Sequence, residues 1–322
     1  MNRRDFLKSA APAASLIRCF PADLSAMQRE KPLNGLERRT LGKTGEKLSI
    51  LGFGGIVVMD ATAEQASQRV NQAIEAGVNY FDVAPSYGNA EDMLGPALEP
   101  HRKGIFLACK TQERTKAGAA AELERSLKKM RTDHFDLYQL HAVAKPSDVK
   151  TILGPGGALE TFVEARKSGR VRFLGFSAHS VEAALELIGS FDFDTILYPV
   201  NYAVWHAGNF GPQVLEKARE KKMGILALKS LAKQPWPDAA GKAHPHPKCW
   251  YEPFDNPEEA MMGLRFTLSH PVTAAIPPGD EDVFKMALGL AAKFTPLSKE
   301  EAEAIKQKAL STPPLFKYPM AG

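Results

Sequence analysis

The chain has 322 residues, 44% of them hydrophobic and 24% charged, with 41 basic against 37 acidic side chains. That balance belongs to an ordinary globular protein with a large core and excludes disordered, collagen-like and coiled-coil classes. Charges of both signs are interspersed, with no basic stripe or acidic tail, so neither nucleic acid nor a stable membrane association is expected and a small-molecule function is. Three cysteines, Cys19, Cys109 and Cys249, form no C-x-x-C pair, which argues against an iron–sulfur cluster, a metal site and a disulfide scaffold. Cys109 lies in an apolar run and reads as a buried free thiol, with a Cys109–Cys249 bridge the alternative in an oxidising compartment.

Residues 2–8 read Asn-Arg-Arg-Asp-Phe-Leu-Lys and are followed by the small, weakly apolar stretch Ser9 to Ile17. This segment is similar to a twin-arginine export signal, which a dedicated translocase reads. The cleavage position that fits follows Ala26, with Leu24 where a small residue is preferred. The expectation is a signal peptide over residues 1–26 and a periplasmic or exported protein; the alternative is a basic tail on a cytoplasmic one. No stretch is long and apolar enough to span a bilayer.

From Arg38 onward one event repeats: a short apolar run rich in β-formers, then a segment of helical period. The runs are Leu48–Gly54, Val78–Val83, Gly104–Lys110, Phe135–His141, Val171–Ser177, Thr195–Asn201, Gly224–Lys229 and Val272–Pro277. Between them Val181, Ala184, Leu185 and Ile188 fall at i, i+3, i+4 and i+7, Leu123, Leu127 and Met130 do likewise, and Thr62 with Gln65 resembles a capping box. Eight strands, each nearly continuously apolar and each followed by a helix, predict a (β/α)8 TIM barrel over about residues 38–310. An open doubly wound sheet is the competitor, but Gly52, Gly54 and Gly55 do not make the G-x-G-x-x-G dinucleotide fingerprint. Ahead of the first strand, Glu37–Leu41 and Glu46–Ser49 flank Gly42-Lys43-Thr44-Gly45, an N-terminal β-hairpin placed to plug the barrel. Lys233–Asn256 is the one long irregular insertion, after strand seven on the face where barrel loops shape binding.

In such a barrel the chemistry sits at the C-terminal strand ends. Here those ends are polar: Asp82, Lys110, His141, Ser177, Asn201 and Lys229 close strands two to seven, and Tyr87 follows Asp82 by five residues. Singly, Asp82 reads as a turn carboxylate, His141 as a half-buried imidazole and Lys110 as a snorkelling amine. Together, an ammonium at Lys110 would favour the phenolate of Tyr87 and draw its pKa down, Asp82 would hold Lys110, and His141 would orient a substrate oxygen. Such a group can protonate an oxygen on which charge develops as a carbonyl accepts a hydride.

The segments Phe81-Asp82-Val83-Ala84-Pro85-Ser86-Tyr87-Gly88, Ala108-Cys109-Lys110-Thr111, Leu140-His141 and Gly175-Phe176-Ser177 resemble the aldo/keto reductases. The resemblance implies a barrel that binds NADP or NAD without a Rossmann motif and reduces an aldehyde, ketone or sugar carbonyl, or runs the reverse reaction. It places Asp82, Tyr87, Lys110 and His141 at the family's catalytic positions, with Tyr87 the proton donor, and Ser177, Asn201, Lys229 and Gly279 at the cofactor. The chain departs from the pattern at Ala178, where an asparagine is common, at Pro199, where glutamine is, and at Leu228, where a tyrosine stacks on the nicotinamide. The acidic run Asp280-Glu281-Asp282 stands where cations grip the 2′-phosphate of NADP, which makes NAD credible.

Trp236, Trp250, Tyr251 and Phe254 in the long insertion form either an aromatic lid over a small carbonyl substrate or anchors for the loop itself. His244 and His246 lack a third metal ligand. Two other functions fit the residues: a cofactor-sensing, weakly active interaction subunit, suggested by Ala178 and Leu228, and a Schiff-base lyase using Lys110.

Overall fold

The structure, a computed structural model, describes residues 29–30, 35–237 and 244–319. The signal-peptide reading of residues 1–26 and Cys19 lie outside the described residues. Eight parallel strands make one sheet in chain order: β1 (Phe53–Gly54), β2 (Tyr80–Asp82), β3 (Phe106–Thr111), β4 (Phe135–Val143), β5 (Val171–Ala178), β6 (Thr195–Pro199), β7 (Gly224–Leu228) and β8 (Ala274–Ile276). The sheet closes on itself where the amide of Gly52 donates to the carbonyl of Ala275 and the amide of Ala275 donates to that of Ile50, each at 2.9 Å. The protein is therefore a (β/α)8 barrel.

Helices follow each strand and pack outside it: α1 (Ala63–Glu75), α2 (Ala90–Leu98), α3 (Lys116–Lys129), α4 (Pro146–Leu153), α5 (Ala158–Lys167), α6 (Val181–Ser190), α7 (Tyr202–His206), α8 (Pro212–Glu220), α9 (Pro257–Leu268), α10 (Glu281–Ala291) and α11 (Lys299–Leu310). Thr62 and Gln65 form a complete capping box on α1, each bonding the other's backbone amide. Val181, Ala184 and Ile188 are buried on α6 as the helical spacing predicts, together with Ala183 and Leu187, whereas Leu185 is only half-buried.

Several strands are shorter than their apolar runs. Leu48–Gly54 divides between a hairpin strand, Lys47–Ser49, and β1, because the chain must turn from beneath the barrel into its wall. Lys47–Ser49 pairs antiparallel with Arg38–Thr40, and this hairpin closes the barrel floor. Buried Arg39 fixes it there, donating from Nε to Glu37 at 2.8 Å and from Nη1 to the carbonyls of Leu268 and Val272 at 2.8 and 2.9 Å. Leu41 lies over Gly224, where a Cβ would come within 2.4 Å of its side chain.

Alternation along each strand sends every second residue inward. Tyr80, Phe106, Ala108, Leu137, Leu197, Leu226 and Ala274 fill the barrel interior, while Phe81, Leu107, Cys109, Tyr138 and Leu140 face the helices. The same parity carries Asp82, Lys110, His141 and Ser177 to the inner face, one layer above that filling. Cys109 and Cys249 are both free and buried. The space beneath the site depends on Gly52, where a Cβ would sit 2.5 Å from the Tyr80 ring. Gly52→Ala is expected to lose about 1–3 kcal/mol in denaturant unfolding, the usual cost of forcing a carbon into a packed core; an unchanged midpoint would show that Tyr80 has room to move.

Candidate active site

Lys110, at the upper end of β3, ion-pairs with Asp82 of β2, and both side chains are buried. Two buried charges are tolerated only when their remaining hydrogen-bonding capacity is met. The other carboxylate oxygen of Asp82 accepts from the Tyr80 hydroxyl at 3.2 Å and from Gln139 Nε2 at 3.0 Å. Lys110 Nζ also donates to the Val83 carbonyl and to the Tyr87 hydroxyl, each at 3.3 Å, and lies 4.9 Å above the centre of the Tyr87 ring. A chain of contacts thus runs from Tyr80 and Gln139 through Asp82 and Lys110 to the phenol of Tyr87.

The electrostatics follow from this geometry. Burial alone would lower the pKa of Lys110, but the charge of Asp82 and the hydrogen bonds to Asp82 and Tyr87 carry it well above its ordinary value. Lys110 is a fixed cation. Burial raises the Tyr87 pKa, Lys110 opposes the rise and Asp82 adds to it, with a net upward direction. The sequence suggested a net fall; desolvation outweighs the neighbouring ammonium, so Tyr87 is a protonated phenol at neutral pH.

His141 crosses the Tyr87 ring edge-on, with ring centres 5.7 Å apart, and its Nδ1 lies 3.3 Å from the Ser86 hydroxyl. Its register marks it out. β4 pairs with β5 in step as far as Leu140, slips before Val143, and holds Ala142 at a left-handed φ of 53°. His141 itself keeps the inward parity of Leu137 and Gln139, and the irregularity lies beside the site immediately after it. Ser177 secures the slip by accepting from the Ala142 amide at 2.7 Å, and Arg114 donates to the His141 carbonyl at 2.7 Å. Burial, with help from Lys110, depresses the His141 pKa to about 2, and burial with Lys229 depresses that of His179 to about 4. Both imidazoles are neutral at pH 7.

These groups line a cavity of about 260 Å³ whose wall includes Asp82, Tyr87, Lys110, His141, Ser177, His179, Leu228, Lys229, Trp250, Tyr251 and Gly279. Asn201 is not among its lining. It is buried, its Oδ1 caps α7 through the amides of Ala203 and Val204, and its Nδ2 donates to the carbonyls of Lys229 and Ala232 at 3.3 and 2.6 Å. Its polar atoms are thereby spent on backbone. Trp236 also stays outside the cavity: its indole N–H donates to the Cys249 carbonyl at 2.9 Å, and its ring stacks on His244 at 4.0 Å.

The long insertion forms a short antiparallel ribbon, Ala232–Gln234 with Glu252–Pro253, so Trp236 anchors the loop while Trp250 and Tyr251 face the cavity. Lys248 ties the loop across the mouth to the carbonyls of Ile56 and Met59 at 3.3 and 2.6 Å. Gly279 packs against Ile56, where a Cβ would meet it at 2.3 Å. Asp280 caps α10 through one oxygen and faces His246 at 3.2 Å through the other, and Glu281 pairs with Arg69 and Lys285. The acidic run is therefore largely engaged within the protein. Among the described residues no group of three or more His, Cys, Asp or Glu side chains could hold a metal ion, and no helix is long and apolar enough to cross a membrane.

Tyr80, Gln139, His179 and Lys248 were not singled out in the sequence. A signal existed for the first two, since each stands two residues before a strand-end residue and so on the same inner face. Four histidines, half-buried His141, His179 and His206 and buried His270, have pKa values depressed by desolvation to about 2, 4, 4 and 4. Between those values and the unfolded pKa near 6.5 the unfolded chain binds more protons, so their contribution is complete above about pH 6.5 and drains away as pH falls towards 4. Lowering pH from 7 to 5 is expected to cost about 1–2 kcal/mol per histidine in unfolding free energy. His179→Gln should flatten that slope by one such share; an identical slope in the variant would remove His179 from the account.

The chain is similar in sequence and in fold to known proteins. The chain is 23% identical over 300 residues to an uncharacterized oxidoreductase, YqkF, of Bacillus subtilis, covering 84% of this chain and 96% of that protein. It is 28% identical over 216 residues to the L-galactose dehydrogenase of Arabidopsis thaliana, covering 61% and 66%. Among solved structures it is similar to the holo form of the aldo-keto reductase AKR11C1 from Bacillus halodurans, with a TM-score of 0.68 at 24% identity over 88% of this chain and 98% of that one. It also resembles an aldo/keto reductase from Klebsiella pneumoniae in complex with NADP and acetate, with a TM-score of 0.62 at 18% identity over 86% and 96%. The sequence pattern that defines the Aldo/keto reductase family matches residues 51–248, and with the barrel closed around those residues the chain belongs to that family of oxidoreductases.

Proposed function

We propose that this protein interconverts a small aldehyde, ketone or sugar carbonyl and its alcohol, with Tyr87 as the proton donor in the reducing direction. The observation that carries the reading is the chain Asp82–Lys110–Tyr87 ending in one cavity with neutral His141. A nicotinamide dinucleotide, NADP or NAD, supplies the hydride when bound. The residues present fit its reacting end: Lys229 offers a cation without a hydrogen-bond or carboxylate partner among the described residues, and Ser177 and Gly279 line the same wall. At about 260 Å³ the cavity lies just below the range of about 300–1,000 Å³ usual for ligand pockets, a size for a nicotinamide ring and a small carbonyl compound.

As negative charge grows on the carbonyl oxygen, the Tyr87 hydroxyl gives up its proton and Lys110 stabilises the phenolate left behind. Asp82 keeps Lys110 in place and is itself held from below by Tyr80 and Gln139. His141, neutral and seated at the β4 irregularity, donates or accepts one hydrogen bond and fixes the oxygen towards Tyr87. Engagement of Asp280 and Glu281 within the protein leaves less free negative charge at the 2′-phosphate position than the bare sequence implies, so both dinucleotides remain substrates of this reading. NADP is the one named with the Klebsiella pneumoniae relative.

Fluorescence titration with NADPH and NADH separately is expected to give saturable binding of at least one. Tyr87→Phe should bind it within about twofold of wild type while losing about 10²–10⁴ in kcat, the usual share of a positioned acid. Equal, negligible turnover of both proteins with intact dinucleotide binding would instead favour a cofactor-sensing subunit, the reading suggested by Ala178 and Leu228. We further propose export of the folded protein by the twin-arginine route, on the strength of Arg3, Arg4, Phe6, Leu7 and Lys8. Replacing both arginines by lysine is expected to keep the protein in the cytoplasm, and unchanged secretion would reject that route.

A further inference from the structure

Three lysines line the cavity: Lys248 is held by the carbonyls of Ile56 and Met59, and the other two are in opposite electrostatic states. Lys110 is pinned by Asp82. Among the described residues Lys229 has no carboxylate within ion-pair distance and no hydrogen-bond acceptor for its Nζ, which lies instead 4.9 Å from the Trp250 ring centre and 4.6 Å from that of Tyr251. Ring faces attract an ammonium by about 0.5–2 kcal/mol but supply neither a lone pair nor a counter-charge to hold it protonated.

The backbone has been bent to bring Lys229 there. Leu226 and Leu228 face the barrel interior, so alternation would send Lys229 outward to the helices. A left-handed φ of 69° at Lys229 breaks the alternation, a conformation that costs a non-glycine residue about 1–3 kcal/mol. Asn201 and the Ala232 amide both hydrogen-bond the Lys229 carbonyl, at 3.3 and 3.0 Å, and hold the turn. The side chain then lines the cavity together with Tyr87 and His141.

We propose that Lys229 captures small aldehydes covalently, as a reversible imine formed inside the cavity. The neutral amine adds to the carbonyl carbon and one N–H proton passes to the oxygen; the resulting carbinolamine then loses that oxygen as water, the second N–H proton leaving with it. A C=N double bond replaces the C=O double bond, and nothing is oxidised or reduced. Burial supports the neutral amine, lowering the Lys229 pKa to about 8 against a weak opposing influence of Cys249. About a tenth of such an amine is neutral at pH 7, against fewer than about one in a thousand of an ordinary lysine. Amine chemistry thereby falls to Lys229 and not to Lys110, whose protonation Asp82 enforces.

The test uses the full chain, free of dinucleotide, treated at neutral pH with propanal and cyanoborohydride, which reduces an imine to a stable secondary amine. Peptide mass spectrometry then ranks the lysines by rate of labelling. Lys229 is expected to label at least about tenfold faster than exposed Lys103 and than Lys110, and Lys229→Arg, which keeps the charge, should lose only that fast label. Labelling of Lys229 no faster than Lys103 would overturn the proposal. The outcome does not depend on hydride transfer: a protein that labels at Lys229 without reducing any carbonyl would refute the proposed oxidoreductase activity and leave the capture site standing.

Discussion

A buried ion pair between Asp82 and Lys110 governs the upper half of this barrel. Removing two charges from water costs several kcal/mol per ion, and the mutual attraction repays it only when every remaining lone pair and proton is used. The chain comes within one atom of that condition with residues from three strands: Tyr80 and Asp82 from β2, Lys110 from β3 and Gln139 from β4, with Gly52 giving way beneath the Tyr80 ring. One polar atom is left over. Gln139 Oε1 is buried without a hydrogen-bond partner, as a side chain oriented by the carboxylate on its other end would be. The consequence for chemistry is that the cation beside Tyr87 cannot wander, so its effect on the phenol is fixed by the fold and not by solvent.

The same constraint separates what the sequence makes legible from what it hides. Barrel strands are covered on both faces, so their apolar runs stand out, and the polar residue at each run's end stands out against them. Period-two alternation then places Asp82, Lys110, His141 and Ser177 on one surface without further information. Boundaries were less visible: the run ending at Gly54 contains both a hairpin strand and a barrel strand, because a turn made by tertiary packing has no compositional mark.

Side chains whose fate is set by distant contacts were the least legible. Asn201 and His141 are both polar strand-end residues, yet one is consumed by a helix cap and two carbonyls while the other faces the cavity. Trp236 and Trp250 share a loop, and the ribbon between Ala232–Gln234 and Glu252–Pro253 decides which of them reaches the mouth. The direction of the Tyr87 pKa was hidden for a related reason. A neighbouring cation can be read from strand order, but the depth of burial that outweighs it is a property of the closed barrel.

The seam between Leu51 and Ala275 joins parts of the chain that lie far apart in sequence. Asp82, Tyr87, Lys110, Gln139 and His141 all fall within one contiguous third of the chain, whereas the bonds that close the barrel join its beginning to its far end. Short loops close at little entropic cost and long ones at more, so the strands bearing the polar cluster can pair before the seam is made. A barrel left open at that seam would expose Asp82 and Lys110 to more water, where attraction between charges is weaker. The strand at the far end of the chain, β8, carries none of those five residues and still shields them from water by closing the wall.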